Sequence, residues 1–487
     1  MIERGECYEF RDPIHGMISI NELEREIINT VAFQRLRHIR QLATSYMVYH
    51  GAEHTRFGHS LGVMHIASKA LEAIREKEPL KTKLNDFNEY NKIKYTLRLA
   101  ALLHDVGHAP FSHAGEDLLF PRVTDVDGSE GTGHEVYTRL IIRDKFTSII
   151  DSYFDKTGVK TSDVLSLLKG NTRDNKLRFT YDIISGQLDA DKMDYLLRDS
   201  HYCGVNYGVY DLDKMLNSLC ICESQDGDWQ LGIMSDGIYS AEEFVYARYW
   251  MFLQVYFHKT RRIYDRYLVK FLQDNFKKYP VDINKYLDLD DSDVLQAIKD
   301  SKERNEWAKS LFERKHIKEA FISPTAQLEE KDLDRIAWTI DRFIENYKYD
   351  DTSSKLYVDQ ADSSTAKGLI NVPHYLGEAE TEEEETAKET RLPAIPVKDK
   401  HTGNIGKIQD YSLPLRGISD KKINILRIYA PDDKIDEIKN FCNKSYNEDY
   451  NGYIKEKEEK QKKYAELAEE LEIDKKQDAD RRSRYQK

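Results

Sequence analysis

The chain has 487 residues, a net charge of −13, and 33% charged against 40% apolar residues, the balance of a globular protein long enough for several core-forming units. No run of about eighteen apolar residues occurs, which excludes a membrane-spanning helix, and the acidic excess argues against a protein that coats nucleic acid. Cys7, Cys203, Cys220, Cys222 and Cys442 are scattered and give no disulfide framework. The first residues carry no apolar signal region, so a cytoplasmic location is expected.

In chain order, Leu23, Ile27, Ile28 and Val31 fall at helical spacing, as do Leu61, Met64, Ala67 and Leu71, so residues 17–80 read as helices with short breaks. Residues 93–106, 134–154 and 187–199 are predicted helical on the same basis. Residues 120–133, with a proline and three glycines, read as a loop. Tyr239 to Leu272 is free of Gly and Pro and predicts one major helix or two. Strands are predicted at Trp229–Met234 and Ile423–Tyr429, and the Cys220-Ile221-Cys222 alternation reads as a strand rather than a metal pair. The fold class expected is mainly α, a helical bundle with a small β/α C-terminal region. The division expected is a core at 1–275, a helical extension at 276–350, an acidic irregular insertion at 351–410 around Glu382 to Glu385, and a small β/α region with a charged helical tail at 411–487.

The segment His104-Asp105-Val106-Gly107-His108-Ala109-Pro110-Phe111-Ser112-His113 directly follows the apolar run Leu97 to Leu103. A His–Asp pair at the end of a buried helix carries charge into a packed interior, where an unpaired charge is costly and a bound cation satisfies it. Neighbouring helical residues point about 100° apart, so other elements must complete such a site. The best-placed candidates are His59 upstream and Asp191 downstream. Singly, each reads equally well as a helix-entry residue or a solvated helix acid. Together, His59, His104, Asp105 and Asp191 form a mixed imidazole–carboxylate set for a divalent ion, with positions left for water and substrate oxygens.

This order resembles the HD-domain phosphohydrolase pattern. The segments Phe10 to Gly16, Phe33 to Arg37, His54 to Gly62, His104 to His113 and Asp191 to Asp199 narrow the resemblance to the deoxynucleoside triphosphate triphosphohydrolases, over residues 8–320 and more faintly over 405–445. The resemblance implies an HD-domain helical bundle with His59, His104, Asp105 and Asp191 as ligands to Fe, Mn, Zn or Co, and Mg as an ion on the substrate phosphates. It implies Arg56, Lys192 and Arg248, with His113 and Tyr195, as phosphate contacts. Gln41, Leu42, Tyr195 and Asp199 are the implied sugar contacts. His134 is the implied general acid, oriented by Glu116 where the family's familiar residue is aspartate, and His108 completes the site. The implied reaction is hydrolysis of a dNTP to the deoxynucleoside and inorganic triphosphate in a homo-oligomer, dimer or tetramer. Membrane contact is not expected, and nucleic acid is not the favoured partner. Two alternatives stand beside it: an HD-type phosphodiesterase or nuclease, because a fold does not fix a substrate, and a nucleotide-sensing regulator without turnover.

Overall fold

A computed structural model describes residues 8–455, apart from 78–79, 81–85, 115, 172–174, 225–226, 324–326, 329, 350–354, 365–394, 420–421, 451 and 453. The fold is mainly α. A hairpin of β1 (Tyr8–Asp12) and β2 (Gly16–Ile20) comes first. Its turn is set by Asp12, whose Oδ1 accepts the backbone N–H groups of Ile14 at 2.9 Å and His15 at 3.0 Å, and by Gly16 at a φ of 74°.

The helices that carry the site follow. Helix α1 (Arg56–Arg75) buries Leu61, Met64, Ala67 and Leu71 as their spacing predicts. Helix α2 (Phe87–Leu103) is N-capped by Asp86 and ends in the fully buried run Leu99 to Leu103. Helix α3 (His134–Ile141) begins after Gly133, whose φ of 91° suits a glycine. Helix α4 (Ala190–Cys203) is N-capped by Asp189 and stopped by Gly204 in the left-handed region. Helix α5 (Asp291–Ser301) carries a capping box between Asp290 and Asp293. Helix α1 packs on both α2 and α4, so residues from all three meet over one core.

The chain divides into two compact units, Met1–His316 with Ser363–Lys421, and Ile317–Asp362 with Lys422–Lys487. The first unit holds all the helices above and a four-stranded sheet ordered Ile405–Lys407, Pro396–Lys398, Trp229–Met234, Leu219–Glu223. Cys220 and Cys222 are buried on its last strand. The second unit pairs Lys422–Ala430 with Lys318–Ile322, Gln327–Leu328 and Tyr357–Ser364. Its core joins Phe321, Ile336, Phe343, Leu426, Ile428 and Ile438.

Several sequence expectations are corrected. The first unit runs to His316 rather than 275, because helix Lys259–Phe276 packs on Glu306–Glu313, with the Tyr267 and Trp307 rings 5.5 Å apart. Residues 317–350 are not a plain helical extension but begin the second unit with a strand. The insertion expected at 351–410 contributes strands at Tyr357–Ser364, Pro396–Lys398 and Ile405–Lys407 among its described residues. The loop expected at 120–133 contains a short hairpin of Val123–Thr124 with Glu130–Gly131. Val31 is 85% exposed, because Ile28 ends one helix and Thr30 caps the next, which breaks the periodicity that grouped it with Leu23 and Ile27. The acidic run from Glu378 and the charged tail beyond Lys455 lie outside the described residues. Among the described residues, no helix is long and apolar enough to cross a membrane.

Candidate active site

The buried imidazole of His59 and the half-buried one of His104 face one another where α1 meets the end of α2. Ligand atoms of His59, His104 and Asp191 all lie within 4.8 Å of one another. Each imidazole is aimed by a contact on its far nitrogen. His59 Nδ1 donates to Asp194 Oδ2 at 2.8 Å, and His104 Nδ1 donates to the carbonyl of Ala101 at 2.8 Å. Those contacts place the Nδ1 proton and turn the Nε2 lone pairs inward, the arrangement that orients a metal-binding histidine. Both Nε2 atoms are buried without a hydrogen-bond partner; Asp191 Oδ1 lies 3.0 Å from His59 Nε2 but outside hydrogen-bonding geometry. Asp105 offers its carboxylate to the same two nitrogens, 3.5 Å from His59 Nε2 and 3.3 Å from His104 Nε2.

The charge balance here calls for a cation. Burial lowers the pKa of His59, yet Asp191 and Asp194 outweigh it and raise the ring to about 10. Burial likewise lowers His104, and Asp105 and Asp191 raise it above its ordinary value. Asp191 is held below the carboxylate range, burial being outweighed by its contacts with His104 and His59. Crowded carboxylates thus draw protons onto the imidazoles, and a divalent ion replaces those protons at lower cost. The donor set of two imidazole nitrogens and two carboxylates fits Fe, Mn, Zn or Co.

Sequence reasoning left Asp194 inside a motif without a role. It is fully buried and accepts from His59, from His15 Nε2 at 2.6 Å, and from Arg198 Nε and Nη2 at 2.8 and 2.9 Å. Arg198 also donates to Asp12 Oδ2 at 2.9 Å, so the Asp12–His15 turn buttresses the ligand helix. The signal was present in the three-residue and four-residue spacings Asp191, Asp194, Arg198 along α4. Gly62 makes the approach possible, since a Cβ there would fall 1.8 Å from Asp194 Oδ1.

A cavity of about 210 Å³ opens beside the metal ligands. Of the sequence-expected residues, Gln41, Arg56, His104, Asp105, His108, His113, His134, Asp191 and Tyr195 line it. Arg56 Nη1 pairs with Asp105, and its Nε donates to Ser112 Oγ at 2.9 Å. Burial raises Asp105, but Arg56, His104 and His108 hold it well below the carboxylate range. Glu116 Oε1 accepts from His134 Nδ1 and from the His134 backbone N–H at 3.0 Å, while Oε2 accepts from His113 Nδ1 at 2.7 Å. The longer glutamate side chain therefore reaches His134. Its pKa is lowered, burial being outweighed by the hydrogen bonds from His113 and His134. His108 stacks on His134 with centroids 3.9 Å apart.

Four expected substrate residues do not line this cavity. Leu42 is buried at the start of the short helix Ala43–Met47. Lys192 Nζ is turned back onto Asp189 Oδ2 at 2.5 Å and the Gly186 carbonyl at 2.9 Å. Asp199 accepts from His54 Nε2 at 2.7 Å and from the Tyr256 hydroxyl at 2.8 Å. Arg248 is buried with its Nε unpartnered, close enough for its charge to act on Tyr195, whose hydroxyl burial pushes up to about 12. Conversely, Thr138, Arg139, Tyr181 and Ser185 line the cavity without having been anticipated.

Fold and site together define a helical domain built around a His/Asp divalent-metal centre. Residues 56–199 match the HD domain family and residues 210–368 the HD associated region, and the chain belongs to the HD-domain family. It is 36% identical over 289 residues to an uncharacterized protein of Methanocaldococcus jannaschii, covering 59% of this chain and 54% of that one. It is 30% identical over 347 residues to the deoxynucleoside triphosphate triphosphohydrolase SAMHD1 homolog of Dictyostelium discoideum, covering 69% and 63%. The chain spans about half the length of the M. jannaschii relative and of the similar YwfO protein of Bacillus subtilis, 54% of each. A hypothetical protein from Aquifex aeolicus shares the fold at a TM-score of 0.68 and 28% identity, covering 90% of this chain and all of that one. A phosphohydrolase from Bacteroides thetaiotaomicron does so at 0.62 and 25%, covering 87% and all of that one.

Proposed function

We propose that the protein is a metal-dependent phosphohydrolase that cleaves deoxynucleoside triphosphates to the deoxynucleoside and inorganic triphosphate. The observation that carries the reading is a cavity lined by His104, Asp105, Asp191, Arg56 and His134, with the orphaned His59 nitrogen grouped with His104 and Asp191 and with Glu116 bonded to His134. His59, His104, Asp105 and Asp191 would hold a divalent ion, which when bound would supply Lewis acidity at a phosphoryl oxygen and a water of lowered pKa. Arg56 presents guanidinium N–H groups to the phosphates, and its contacts with Asp105 and Ser112 fix the orientation of that charge. His134 gives its Nε2 proton to the departing 5′ oxygen while Nδ1 stays bonded to Glu116, which stabilises the charged ring in the acting orientation. His108, stacked on that ring, keeps water from its face. Tyr195 and Gln41 lie on the cavity wall where the sugar of such a substrate would rest. The relatives named as SAMHD1 proteins act on deoxynucleoside triphosphates, which supports the same substrate class here.

The test is a metal-loaded assay on all four dNTPs, a single-stranded DNA and an RNA. Release of triphosphate from dNTPs alone is the expected result. Release of mononucleotides from the oligomers would replace this reading with a nuclease, and binding without product would replace it with a sensor.

A further inference from the structure

We propose that His108, His113, Glu116 and His134 form a second divalent-metal site, and that zinc bound there inhibits the enzyme by occupying the proton-donating pair. The binding half stands on geometry alone. The inhibitory half rests on the dNTP-hydrolysis reading above.

One ligand atom from each of the four residues lies within 4.8 Å of the other three. None of the four belongs to the His59 centre. The rings are already gathered: His108 and His134 stack at 3.9 Å, His108 and His113 meet edge-on at 4.7 Å, and His113 and His134 stand 5.4 Å apart. Glu116 ties two of them together, one through each carboxylate oxygen. His108 is 1% exposed, and its Nδ1 has no hydrogen-bond partner. A buried imidazole nitrogen with no partner in the chain is free to accept a ligand.

The backbone brings these groups together at a cost. Phe111 and Ser112, between His108 and His113, both hold left-handed conformations, with φ of 59° and 58°. Non-glycine residues pay for that conformation, and it folds the chain so that both histidines meet His134 at the start of α3. Arg56, whose charge would oppose a further cation, is paired with Asp105. Three imidazoles and one carboxylate suit zinc in tetrahedral coordination, whereas magnesium prefers oxygen ligands and water. A zinc ion here would take the nitrogen lone pair or displace the proton that His134 needs.

The test uses the full chain, dialysed against zinc and counted by elemental analysis, with anomalous scattering to locate the ions. Wild type should bind two zinc ions per chain. His113→Ala, at a side chain 66% exposed, should bind one, and so should Glu116→Gln. His104→Ala should also bind one, now at the second site. Zinc beyond the first equivalent should stop triphosphate release in wild type, while the residual activity of His113→Ala should tolerate on the order of 10–100-fold more zinc. Millimolar magnesium should not reproduce the inhibition. A single zinc in wild type, or a second zinc that survives both His113→Ala and Glu116→Gln, overturns the site. Two zinc ions with undiminished turnover overturn the inhibitory role. Failure to hydrolyse any dNTP would count against the substrate reading and leave the zinc count to be judged separately.

Discussion

Asp291 Oδ1 accepts the backbone N–H of Phe111 at 2.7 Å, across 180 residues of sequence. Its Oδ2 accepts the backbone N–H of Arg40 at 3.0 Å, so one buried carboxylate at the start of α5 pins two distant loops. Ser112 completes the link by donating to the Arg40 carbonyl at 2.5 Å and accepting from Arg56. The left-handed pair Phe111 and Ser112 persists because these bonds over-determine it.

Burial, the largest influence on Asp291, raises its pKa from 3.8 to about 6 despite those hydrogen bonds. The folded chain therefore binds a proton that the unfolded chain lacks between pH of about 4 and 6. Stability from this group is greatest below that window and falls as pH rises through it, by up to about 3 kcal/mol. Asp291→Asn should remove that slope. The wild-type minus variant difference in unfolding free energy, from denaturant titrations at several pH values, should shrink as pH rises through the window. A difference that stays constant with pH would show that Asp291 titrates as an ordinary carboxyl.

Asp194 is the support of the His59 ring, and its replacement should be felt at the metal. In Asp194→Asn the amide can donate to Nδ1 and turn the proton to Nε2, where the ion must bind. Metal affinity, measured by chelator competition, should fall on the order of 10–100-fold. Stability should fall too, by about 3–5 kcal/mol, because Arg198 loses one of its two buried partners. An unchanged metal affinity would separate the Nδ1 contact from the tautomer it is argued to fix.

The sequence made the local features legible and the long-range ones obscure. The apolar run before His104 and the spacing of Leu61, Met64, Ala67 and Leu71 are contiguous or periodic, so they can be read from a single chain, whereas the order His59, His104-Asp105, Asp191 is legible through its resemblance to a family pattern. Lys192 is expected at the phosphates, but adjacency to Asp191 says nothing of direction, and in the structure its amine turns back onto the N-cap Asp189. Arg248 and Asp199 are expected at the substrate through resemblance, and the Tyr195 and Tyr256 side chains they act on come from helices that only packing brings together. Asp291 carried no signal at all, since it acts on backbone groups 180 and 251 residues away.

Gly107 follows the His–Asp pair for a steric reason. A Cβ there would fall 2.3 Å from both the His134 carbonyl and the Thr138 nitrogen, which are backbone atoms of α3. Thr138 Oγ1 in turn accepts the Gly107 N–H at 2.9 Å. Gly107→Ala must therefore push α3, and His134 with it, away from the ligands. Turnover should drop on the order of 10²-fold, while the His59–His104–Asp191 ion, held by other elements, should remain in place by elemental analysis. Loss of that ion together with activity would mean that the turn holds the metal centre rather than spacing α3.

His134 and Glu116 should behave as one unit. His134→Ala removes the proton donor and should lower kcat on the order of 10²–10⁴-fold without loss of fold or of the first metal ion. Glu116→Gln keeps the size of the side chain but removes the negative charge that accepts the Nδ1 proton, so the ring that must carry protons on both nitrogens to act as an acid loses its counter-charge. Its loss should approach that of His134→Ala. Because the glutamate acts only through the histidine, the double variant should be no slower than His134→Ala alone. Additive losses in steady-state kinetics, or a Glu116→Gln enzyme with wild-type kcat, would assign the two residues separate tasks and remove Glu116 from the proton transfer.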